Sequence, residues 1–374
     1  MSHQLFGNAD SAITIKLDAI VANWRYIDGL SAPTTKTAAM LKANGYGLGS
    51  VAIASALVQA GCELFFVANL TEAIELRAVF RQTGDDDITI IVLHGIHSGQ
   101  ESEFTAHHLV PVLNDLDQIS SWRLYAAKTG KTLPALLHFD TGMTRLGLDA
   151  IQTNWLINNR QALEGLELHY VMSHLVSGEL VDDPTNARQL ARFNEIRHWF
   201  SDTPASLANS AGTMLGRDYH FAMTRPGIAL YGIHPSENLD SPLIPTFDWH
   251  ARILQIRDAA AGDKVGYGGT HQLARDSTIA TLGVGYADGY SRKLGNKASV
   301  SISGRTAPVI GRVSMDIITV DVTGFDQESL RTDKASLIHP DYRVEQMASD
   351  VGTISYEIIT NLGHRANRHY LSDS

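Results

Sequence analysis

The sequence is poor in the features that mark secreted, nucleic-acid-binding and membrane proteins. Its 374 residues include one cysteine, Cys62, which excludes a disulfide framework and suits a reducing compartment. The net charge of −10 argues against nucleic acid or an anionic membrane as a partner, since either would favour a basic patch. The most apolar window, 51–70, is interrupted by Gln59, Gly61 and Glu63, so it falls short of a membrane span.

Two further absences narrow the class of protein. Residues 1–11 contain no basic region followed by an apolar stretch, so we expect no signal peptide. The 16 histidines are scattered, and His107 and His108 have no second pair at a metal-ligand spacing. We therefore expect a cytoplasmic protein without a metal centre and without a nucleic-acid or membrane partner.

The first two thirds of the chain alternate between strand-like and helical patterns. After a strand at 13–17 and a helix through 20–27, strand-like runs occur at 37–42, 64–68, 88–93, 110–113, 134–139, 167–173, 205–208 and 228–231. Helical patterns begin at Ser50, expected as a cap, and recur at 71–83 (opening on a capping Thr71), 117–129, 154–163 and 186–200. Eight strands with intervening helices over about 200 to 250 residues are typical of an α/β fold of the (β/α)8 TIM-type barrel. A doubly wound sheet is the alternative.

The pattern changes after Tyr231, where the helical alternation stops. Short strand-like runs follow at 253–256, 278–283, 299–302, 309–310 and 317–322, separated by glycines. This spacing is typical of a mostly β domain. We expect a barrel over 12–238 and a mostly β C-terminal domain over 239–374, joined by a linker near 235–245. The N-terminal strand at 13–17 is a candidate to pack with the second domain.

Lys42 stands at the end of the first predicted strand, before the glycine-rich turn 43–49. A dinucleotide-binding turn is the main rival, but its G-x-G-x-x-G fingerprint is absent, because the glycines here read G-x-G-x-G. The next strand-like run, 64–67, also lacks the ribose-binding carboxylate at its end. A lysine at the carboxyl end of a buried strand can have a lowered pKa and form a Schiff base with an aldehyde.

Polar groups follow several other predicted strands, on the face where barrel enzymes carry their chemistry. The fifth strand leads into His138, Asp140 and Arg145, and the sixth ends at His174. The seventh ends at the segment 209–212, and 225–227 stands just before the eighth. Loops at these last strands of a barrel often bind phosphate through Ser, Gly and backbone N–H groups. A Schiff-base lysine with a phosphate cradle and nearby tyrosines indicates pyridoxal phosphate.

These segments, with others further along the chain, resemble alanine racemases, the pyridoxal-phosphate enzymes built from a barrel and a β domain. The matching motifs are Lys42-Ala43-Asn44-Gly45-Tyr46-Gly47, Asp140-Thr141-Gly142-Met143-Thr144-Arg145-Leu146-Gly147, Asn209-Ser210-Ala211-Gly212, Arg225-Pro226-Gly227-Ile228-Ala229-Leu230-Tyr231-Gly232, Gly285-Tyr286-Ala287-Asp288-Gly289, Gly311-Arg312-Val313-Ser314-Met315-Asp316 and the terminal Ile354-Ser355-Tyr356-Glu357. They stand in the family's order and cover essentially the whole chain.

The resemblance implies a role for each matching position. Lys42 is the Schiff-base lysine and one catalytic base, and Tyr286 is the other base, contributed by the partner subunit of a homodimer. The implied cofactor-binding residues are Lys42, Tyr46, His174, Asn209, Ser210, Arg225, Gly227, Ile228 and Tyr356. Arg145 and the Met315 N–H bind the substrate carboxylate, and His174 supports Tyr286 or Arg225 by hydrogen bonds. The implied supporting residues, some along the substrate entrance, are His138, Asp140, Arg312, Asp316 and Ile354.

The activity implied is the interconversion of L-alanine and D-alanine, and hence D-alanine biosynthesis, by a two-base mechanism on pyridoxal phosphate. Removing a proton from one face of the α-carbon and returning one to the other face requires an electron sink and two acid–base groups. A broader-specificity racemase, decarboxylase or aldolase of related fold would share Lys42 and the phosphate cradle. A non-catalytic cofactor-binding protein would also keep the barrel, but neither alternative needs the Tyr286 motif.

His138 is a departure from the family pattern. Many alanine racemases carry a carbamylated lysine two residues before the aspartate of Asp-Thr-Gly-Met, and histidine cannot form a stable carbamate. Residues 138 and 140 are two apart on a strand, so both should point into the pocket beside Arg145. A buried, unpaired arginine is costly, so we expect the imidazole or a halide in place of the carbamate.

Overall fold

The computed structural model describes residues 5–236 and 242–372. They form two compact units, called here the barrel unit and the β unit. The barrel unit comprises the described residues of Ala19–Gly45 and Gly49–Ile244. The β unit comprises the described residues up to Asp18, the segment Tyr46–Leu48 and the described residues from Pro245 onwards. The expected domain boundary at 238/239 and the centre of the expected linker at 235–245 lie outside the described residues.

The barrel unit is built on parallel strands in the order of the sequence. The strands are Lys36–Thr37 and Ala39–Met40 (two parts of one run), Leu64–Val67, Thr89–Val92, Leu109–Leu113, Leu133–His138, Leu166–Met172, Ala205–Ser206 and Met223–Thr224. Met223–Thr224 pairs in parallel with Lys36–Thr37. On its other side the Ala222 N–H donates to the Ala205 carbonyl at 3.0 Å, so the last strand joins the ends of the sheet. Most of the strands are buried apolar runs, as parallel strands covered by helices require, but Leu166–Met172 is only partly buried and exposes Glu167.

Helices separate the strands of the barrel unit. Within its described residues they are Leu17–Gly29, Ser50–Gln59, Leu70–Thr83, Glu101–Ala106, Leu116–Thr129, Ala150–Asn158, Pro184–His198 and Ser210–Leu215, with a helical turn at Lys42–Tyr46 and 3-10 turns at Arg160–Leu163, Arg217–Tyr219 and Ile228–Tyr231. Asp115 and Asp149 cap two of them by accepting a hydrogen bond from the backbone N–H three residues on. No helix in the described part of the chain is long and apolar enough to cross a bilayer.

Three local expectations for the barrel unit are wrong. The predicted strand at 228–231 is a 3-10 turn, and the eighth strand is Met223–Thr224. A short, continuous apolar run that is buried on every side does not reveal its conformation by periodicity, which explains this error. The helix predicted from Thr71 begins at Leu70, and Asn69 caps it because its side chain accepts from the Glu72 N–H. Gly49, rather than Ser50, occupies the N-cap of the preceding helix.

The β unit contains an eight-stranded sheet within its described residues. Its strands are Ser11–Lys16, Phe247–Ala259, Ser277–Leu282, Ser299–Ile302, Arg305–Ile310, Ile318–Asp321, Lys334–Ser336 and Asn367–Leu371, and Lys264–Val265 pairs with His271–Gln272 in a separate hairpin. The N-terminal strand pairs antiparallel with Phe247–Ala259 and parallel with Asn367–Leu371.

Helical segments complete the β unit, and the sequence patterns missed them. The described helices are Val344–Val351 and Ser355–Thr360, with 3-10 turns at Tyr267–Gly269, Tyr286–Asp288, Arg292–Leu294 and Ser329–Arg331. Trp249 and Tyr290 are fully buried and pack with ring centroids 5.8 Å apart in the core of this unit. Alternating buried residues on the strands face the same core, as in 299–302.

Candidate active site

The two units divide the predicted site residues. The barrel unit carries Lys42, His138, Asp140, Arg145, His174, Asn209, Ser210, Arg225, Gly227 and Ile228, and the β unit carries Tyr46, Tyr286, Arg312, Met315, Asp316, Ile354 and Tyr356. The barrel residues follow the carboxyl ends of their strands, the face on which barrel enzymes place their chemistry.

Lys42 comes directly after the first barrel strand, which is held in the sheet by the Leu41 N–H donating to the Phe66 carbonyl at 2.8 Å. Its side chain is half-buried and makes no hydrogen bond with any described residue. Burial lowers the pKa of the Lys42 ammonium, and the Arg145 charge lowers it further, while Glu72 acts in the opposite direction. The amine is therefore easier to deprotonate than an ordinary lysine, as a nucleophile requires.

The turn after Lys42 is left-handed. Ala43, Asn44 and Gly45 have φ of 53°, 52° and 61°, a conformation that costs about 1–2 kcal/mol at each non-glycine residue. The Ala43 N–H donates to Glu72 Oε1 at 2.7 Å, which holds the start of the turn. A Cβ at Gly45 would lie 3.0 Å from the backbone nitrogen of the helix that follows, so this position also requires glycine on steric grounds. Strain of this kind is typical of functional sites.

Arg225 lies just after the last barrel strand and is almost wholly buried, with 2% of its surface exposed. Its guanidinium donates to Ser206 Oγ, to the Ser173 carbonyl at 2.6 Å and to the Leu207 carbonyl at 3.2 Å. Burial lowers the pKa of Arg225 to about 9. That value still lies above neutral pH, so Arg225 is a fixed positive charge beneath the strand ends.

His174 is neutral in this environment. Burial is the largest cause that puts its pKa well below the ordinary value, and Arg225, Arg145, His138 and Lys42 lower it further. Its Nε2 lies 3.4 Å from Asn209 Nδ2, while Asn209 Oδ1 accepts from the Gly212 N–H at 2.9 Å. The amide thus presents its N–H to His174, which assigns Nε2 as an acceptor.

The expected hydrogen bond from His174 to Tyr286 or Arg225 stays a prediction. In this structure Arg225 donates to Ser206 Oγ and to two carbonyls, and the His174 ring lies next to the Asn209 amide. Because burial lowers the pKa of His174, the neutral ring keeps an acceptor nitrogen for such a bond.

His138 has a defined tautomer. Asn114 donates both hydrogens of its amide, to the Leu93 and Val112 carbonyls at 3.0 Å each, so its Oδ1 must accept from His138 Nδ1 at 2.8 Å. Nε2 of His138 therefore carries the lone pair and has no partner among the described residues. Burial, followed by the charges of Arg225 and Arg145, lowers the pKa of His138 to about 3, so the ring stays neutral.

Asp140 holds the turn that leads to Arg145, and Arg145 differs from the sequence expectation. Asp140 Oδ1 accepts the N–H groups of Gly142 and Met143 at 2.9 Å and of Thr144 at 3.1 Å. Burial alone would raise the pKa of Asp140, but these bonds lower it overall. Arg145 is exposed rather than buried and makes no hydrogen bond or ion pair within the described residues. An exposed guanidinium is hydrated, so it does not need the internal acceptor that we expected.

The predicted phosphate cradle is formed by two turns that meet at Ser210. Ser210 Oγ accepts from the Gly227 N–H at 2.8 Å and from the Ala229 N–H at 3.3 Å. Asn209 caps the helix Ser210–Leu215, and Ile228 begins the buried 3-10 turn that follows Gly227. Two amides thus converge on one oxygen, the geometry with which backbone groups hold an anion. A phosphate that takes the Gly227 N–H would replace its bond to Ser210.

The cradle is fixed to the strand that carries Lys42. The Met40 N–H donates to the Pro226 carbonyl at 3.1 Å, and the Tyr231 hydroxyl donates to the Met40 carbonyl at 2.8 Å. The 3-10 turn that contains Ile228 is thereby anchored two residues before Lys42. An amine, two arginines and two neutral histidines share this end of the barrel unit, which makes it electropositive and suited to an anionic ligand.

In the β unit, Tyr46 and Tyr356 pack against each other with ring centroids 6.1 Å apart. Burial raises the pKa of Tyr46, and Tyr356 adds to the rise, so the phenol stays protonated and remains a hydrogen-bond donor. Gly47, next to Tyr46, is held by Arg368, which donates to the Gly47 carbonyl through two nitrogens at 3.2 and 3.0 Å.

Tyr286 and Met315 lie on two turns that are bonded to each other. The Tyr286 N–H donates to the Ser314 carbonyl at 3.1 Å, and the Ala287 N–H donates to the Met315 carbonyl at 3.0 Å. A Cβ at Gly285 would overlap the Met315 carbonyl, so the approach of the turns depends on this glycine. The side chains of Tyr286, Met315 and Ile354 are 44%, 53% and 62% exposed, and Arg312 and Asp316 are also exposed.

Several residues that shape these sites escaped the sequence patterns, namely Glu72, Asn114, Ser173, Ser206, Asp288 and Arg365. Glu72 accepts a hydrogen bond from the Ala43 N–H, and Asn114 accepts one from the His138 ring. Both partners are far away along the sequence. For Glu72 the local signal was its position three residues after the helix cap Asn69, where a carboxylate commonly bonds backbone N–H groups. Asp288 stands inside the Tyr286 motif, so its place in the sequence could have identified it.

Comparisons with known proteins cover both units. The family model for the alanine racemase N-terminal domain matches residues 15–235, and the model for the alanine racemase C-terminal domain matches residues 246–370. The alanine racemase of Brucella ovis is 42% identical over 97% of this chain and 94% of its own length. The catabolic alanine racemase of Agrobacterium fabrum is 40% identical over 98% of this chain and 94% of its own length.

A solved structure gives the same result. The crystal structure of alanine racemase from Bartonella henselae with covalently bound pyridoxal phosphate is similar with a TM-score of 0.92 and 40% sequence identity. The match covers 97% of this chain and 100% of that chain. The expected fold class, a TIM-type barrel followed by a mostly β domain, is confirmed.

Proposed function

The chain belongs to the alanine racemase family of pyridoxal-phosphate-dependent isomerases, and from this premise we propose that it interconverts L-alanine and D-alanine. The observation that carries the proposal is the environment of Lys42. Its amine follows the first barrel strand, has a pKa lowered by burial and by Arg145, and makes no hydrogen bond within the described residues. An ammonium that loses its proton easily suits both covalent attachment of an aldehyde and proton transfer.

The residues of the barrel unit fit pyridoxal phosphate as the cofactor. Lys42 would hold it covalently, Ser210 and the Gly227–Ile228 turn would hold its phosphate, and Arg225 would face its ring nitrogen. The convergence of two amides on Ser210 Oγ supports the phosphate site. From the family resemblance we assign Tyr46 and Tyr356 as further phosphate ligands. The bound cofactor supplies the electron sink that the α-carbon needs when it loses its proton.

Arg225 has a consequence for the outcome of the reaction. Its pKa of about 9 keeps it protonated at neutral pH, and its donors are already directed at Ser206 and two carbonyls. A charged guanidinium cannot leave a proton on a ring nitrogen as a carboxylic acid can. The negative charge left when the α-proton is removed would then stay near the α-carbon. This would favour the return of a proton to that carbon over side reactions.

We assign the two proton transfers to Lys42 and Tyr286, one on each face of the substrate. Lys42 removes or returns the proton on the face used by D-alanine, and Tyr286 acts on the face used by L-alanine. Arg145 and the Met315 N–H bind the substrate carboxylate. The exposure of the Arg145 guanidinium supports this role, because it is not committed to an ion pair within the described residues.

We further propose a cytoplasmic homodimer in which Tyr286 of one copy serves the lysine of the other. The support is the exposure of Tyr286, Met315 and Ile354, large side chains that the family resemblance assigns to the substrate or its entrance. A contiguous exposed apolar patch commonly marks a surface that a partner covers, and Tyr286 and Met315 lie on two turns that are bonded to each other.

The test uses the purified enzyme with pyridoxal phosphate, with L-alanine as substrate and chiral separation of the product. We expect borohydride to fix the cofactor on Lys42, as seen by peptide mapping. Lys42→Ala should abolish both the fixation and racemisation in either direction. Lys36→Ala is the matched control, because Lys36 lies at the exposed start of the same strand run and pairs with Glu63 at 2.7 Å. It should leave both readouts unchanged.

Two results would contradict the proposal. If borohydride fixed the cofactor on another lysine in the Lys42→Ala variant, Lys42 would not be the residue that binds the cofactor. Decarboxylation or cleavage of the amino acid, with no D-alanine formed, would indicate a different enzyme of related fold.

A further inference from the structure

Arg365 joins the two turns that carry Tyr286 and Met315. Its Nε and Nη2 donate to the two carboxylate oxygens of Asp288 at 2.9 and 2.8 Å, and its Nη1 donates to Asp316 Oδ1 at 2.8 Å. Asp288 is the last residue of the 3-10 turn Tyr286–Asp288, and Asp316 follows Met315. One guanidinium thus bridges both turns with three charge-assisted hydrogen bonds.

The Asp288 side of this bridge is buried. Asp288 is 4% exposed, and its Oδ2 also accepts the Gly285 N–H at 2.9 Å, which closes the turn around Tyr286. The Asp288 carbonyl accepts from the Gly363 N–H at 2.9 Å, two residues before Arg365. The carboxylate therefore has donors on each side, and losing Arg365 would leave a buried charge without its main partner.

The Asp316 side is exposed and holds the neighbouring turn. Within the described residues, Arg365 is the cation that contacts both Asp288 and Asp316. The guanidinium acts on Met315 through the neighbouring Asp316, and the Ala287 N–H also bonds the Met315 carbonyl. A shift of one turn relative to the other would change the position of Tyr286 relative to the Met315 N–H.

We propose that Arg365 is a positioning residue for racemisation, which sets the Tyr286 hydroxyl and the Met315 N–H against the substrate. The inference rests on the proposed function, since that function assigns Tyr286 as the base for L-alanine. A displacement of about 1 Å in a catalytic group can cost about 100-fold in rate. The loss of rate should therefore fall on proton exchange from L-alanine, because Lys42 does not depend on these turns, while a displaced Met315 N–H should raise KM for both enantiomers.

The experiment compares Arg365→Gln, Arg365→Lys, Tyr286→Phe and the control Arg305→Gln in the cofactor-loaded enzyme. Arg305 belongs to the same unit and pairs with Asp326 at 3.6 Å, away from both turns in sequence and contacts. Exchange of the α-proton with solvent deuterium is measured separately for L-alanine and D-alanine. Backbone amide exchange is measured for the peptides that contain 285–289 and 314–317.

At saturating alanine we expect Arg365→Gln to slow proton exchange from L-alanine about 10- to 100-fold while exchange from D-alanine stays within about twofold. The amides of the two turns should exchange faster than in the parent enzyme. Arg365→Lys should recover part of the loss, because an ammonium keeps the charge but cannot form the forked pair. Arg305→Gln should match the parent enzyme in every readout.

The contrary results separate this inference from the function on which it rests. If Tyr286→Phe loses exchange from L-alanine alone but Arg365→Gln slows both enantiomers equally or neither, the positioning role is wrong and the two-base assignment stands. If Tyr286→Phe itself affects both enantiomers equally, the two-base assignment fails, and the positioning role fails with it. Should Arg365→Gln not fold, Asp316→Ala replaces it, because this change removes only the exposed acceptor of the bridge. It should slow exchange from L-alanine more than exchange from D-alanine at saturating substrate, and equal slowing of both would overturn the positioning role.

Discussion

At the scale of single residues, the charge near Lys42 is carried by arginines while the neighbouring histidines are neutral. The pKa of His138 is lowered to about 3 and that of His174 falls well below its ordinary value, in both cases chiefly through burial. Burial lowers the pKa of Arg225 only to about 9, so its positive charge persists at neutral pH. The anion affinity of this end of the barrel unit is therefore not expected to switch off as histidines lose protons near neutral pH.

His138 leads to a prediction about carbon dioxide. Its Nδ1 proton is donated to Asn114, and a neutral imidazole forms no stable carbamate, so activity should not change when bicarbonate and carbon dioxide are removed. The rate of racemisation is measured in degassed buffer before and after addition of bicarbonate. His138→Lys provides the comparison, since it introduces the residue type that is carbamylated in many relatives and should respond to bicarbonate.

A reversible loss of rate in carbon-dioxide-free buffer, in the enzyme with His138, would contradict this prediction. An anomalous-scattering map after a bromide soak tests the separate expectation of a halide beside His138 and Arg145.

Single residues also mark how far the sequence could be interpreted. Lys42 could be found from its strand-end position and the turn that follows. The tautomer of His138 could not, because it depends on the Leu93 and Val112 carbonyls that orient Asn114 in the folded chain. Arg365 was equally hidden, since Asp288 lies 77 residues away along the sequence and no local pattern links them.

At the scale of elements, the helix Leu70–Thr83 supports the left-handed turn after Lys42. Glu72, in the first turn of this helix, accepts the Ala43 N–H through Oε1 and the Ala68 N–H through Oε2 at 2.8 Å. The carboxylate thus ties the end of the second strand to the strained turn beside the first. It also raises the pKa of Lys42 against the lowering by burial and Arg145.

We predict that Glu72→Gln destabilises the turn and makes Lys42 less basic. The amide keeps one acceptor oxygen and loses the other, which should cost about 1–3 kcal/mol in the free energy of unfolding. Loss of the negative charge removes the effect that raises the Lys42 pKa, so the amine should react with an acylating reagent at lower pH than in the parent protein. Urea unfolding and competitive labelling of the cofactor-free protein measure the two effects.

Glu75→Gln is the matched control for this change. Glu75 is exposed on the same helix and makes no hydrogen bond or ion pair in the described part of the chain, so its replacement should alter neither readout. A shift of the labelling profile of Lys42 to higher pH in Glu72→Gln would contradict the electrostatic role of this carboxylate.

Elements also show where sequence patterns succeed and where they fail. The helix predicted at 117–129 agrees with Leu116–Thr129 to one residue. The helix predicted at 154–163 begins at Ala150 instead, because Asp149 was not recognised as its cap. The segment 228–231 could not, because its four buried apolar residues have no alternation. The left-handed conformation of Ala43 and Asn44 was also beyond prediction, since it depends on Glu72.

At the scale of the whole molecule, the proposed exchange of Tyr286 between subunits predicts complementation. Lys42→Ala and Tyr286→Phe should each be inactive, but a hybrid dimer of the two has one site with both lesions and one with neither. Hybrids isolated through two different affinity tags should therefore have about half the parent activity, by the two-fold symmetry of the dimer.

The control hybrid pairs Lys42→Ala with the double variant Lys42→Ala/Tyr286→Phe, in which every site lacks the lysine. It should be inactive. Absence of activity in the first hybrid as well, with intact dimers by light scattering, would show that each site uses Lys42 and Tyr286 from one chain.

The strand order of the β unit has a consequence for synthesis. The first strand of the chain, Ser11–Lys16, lies between Phe247–Ala259 and the last strand, Asn367–Leu371, so none of its sheet partners exists when it leaves the ribosome. It therefore remains an unpaired strand, open to chance pairing with other nascent chains, until Phe247–Ala259 has been synthesised. Arg365 is synthesised 77 residues after Asp288, so the turn that carries Tyr286 forms before the residue that bridges it exists. The strands of the barrel unit can therefore all be made before the Tyr286 turn receives its bridge.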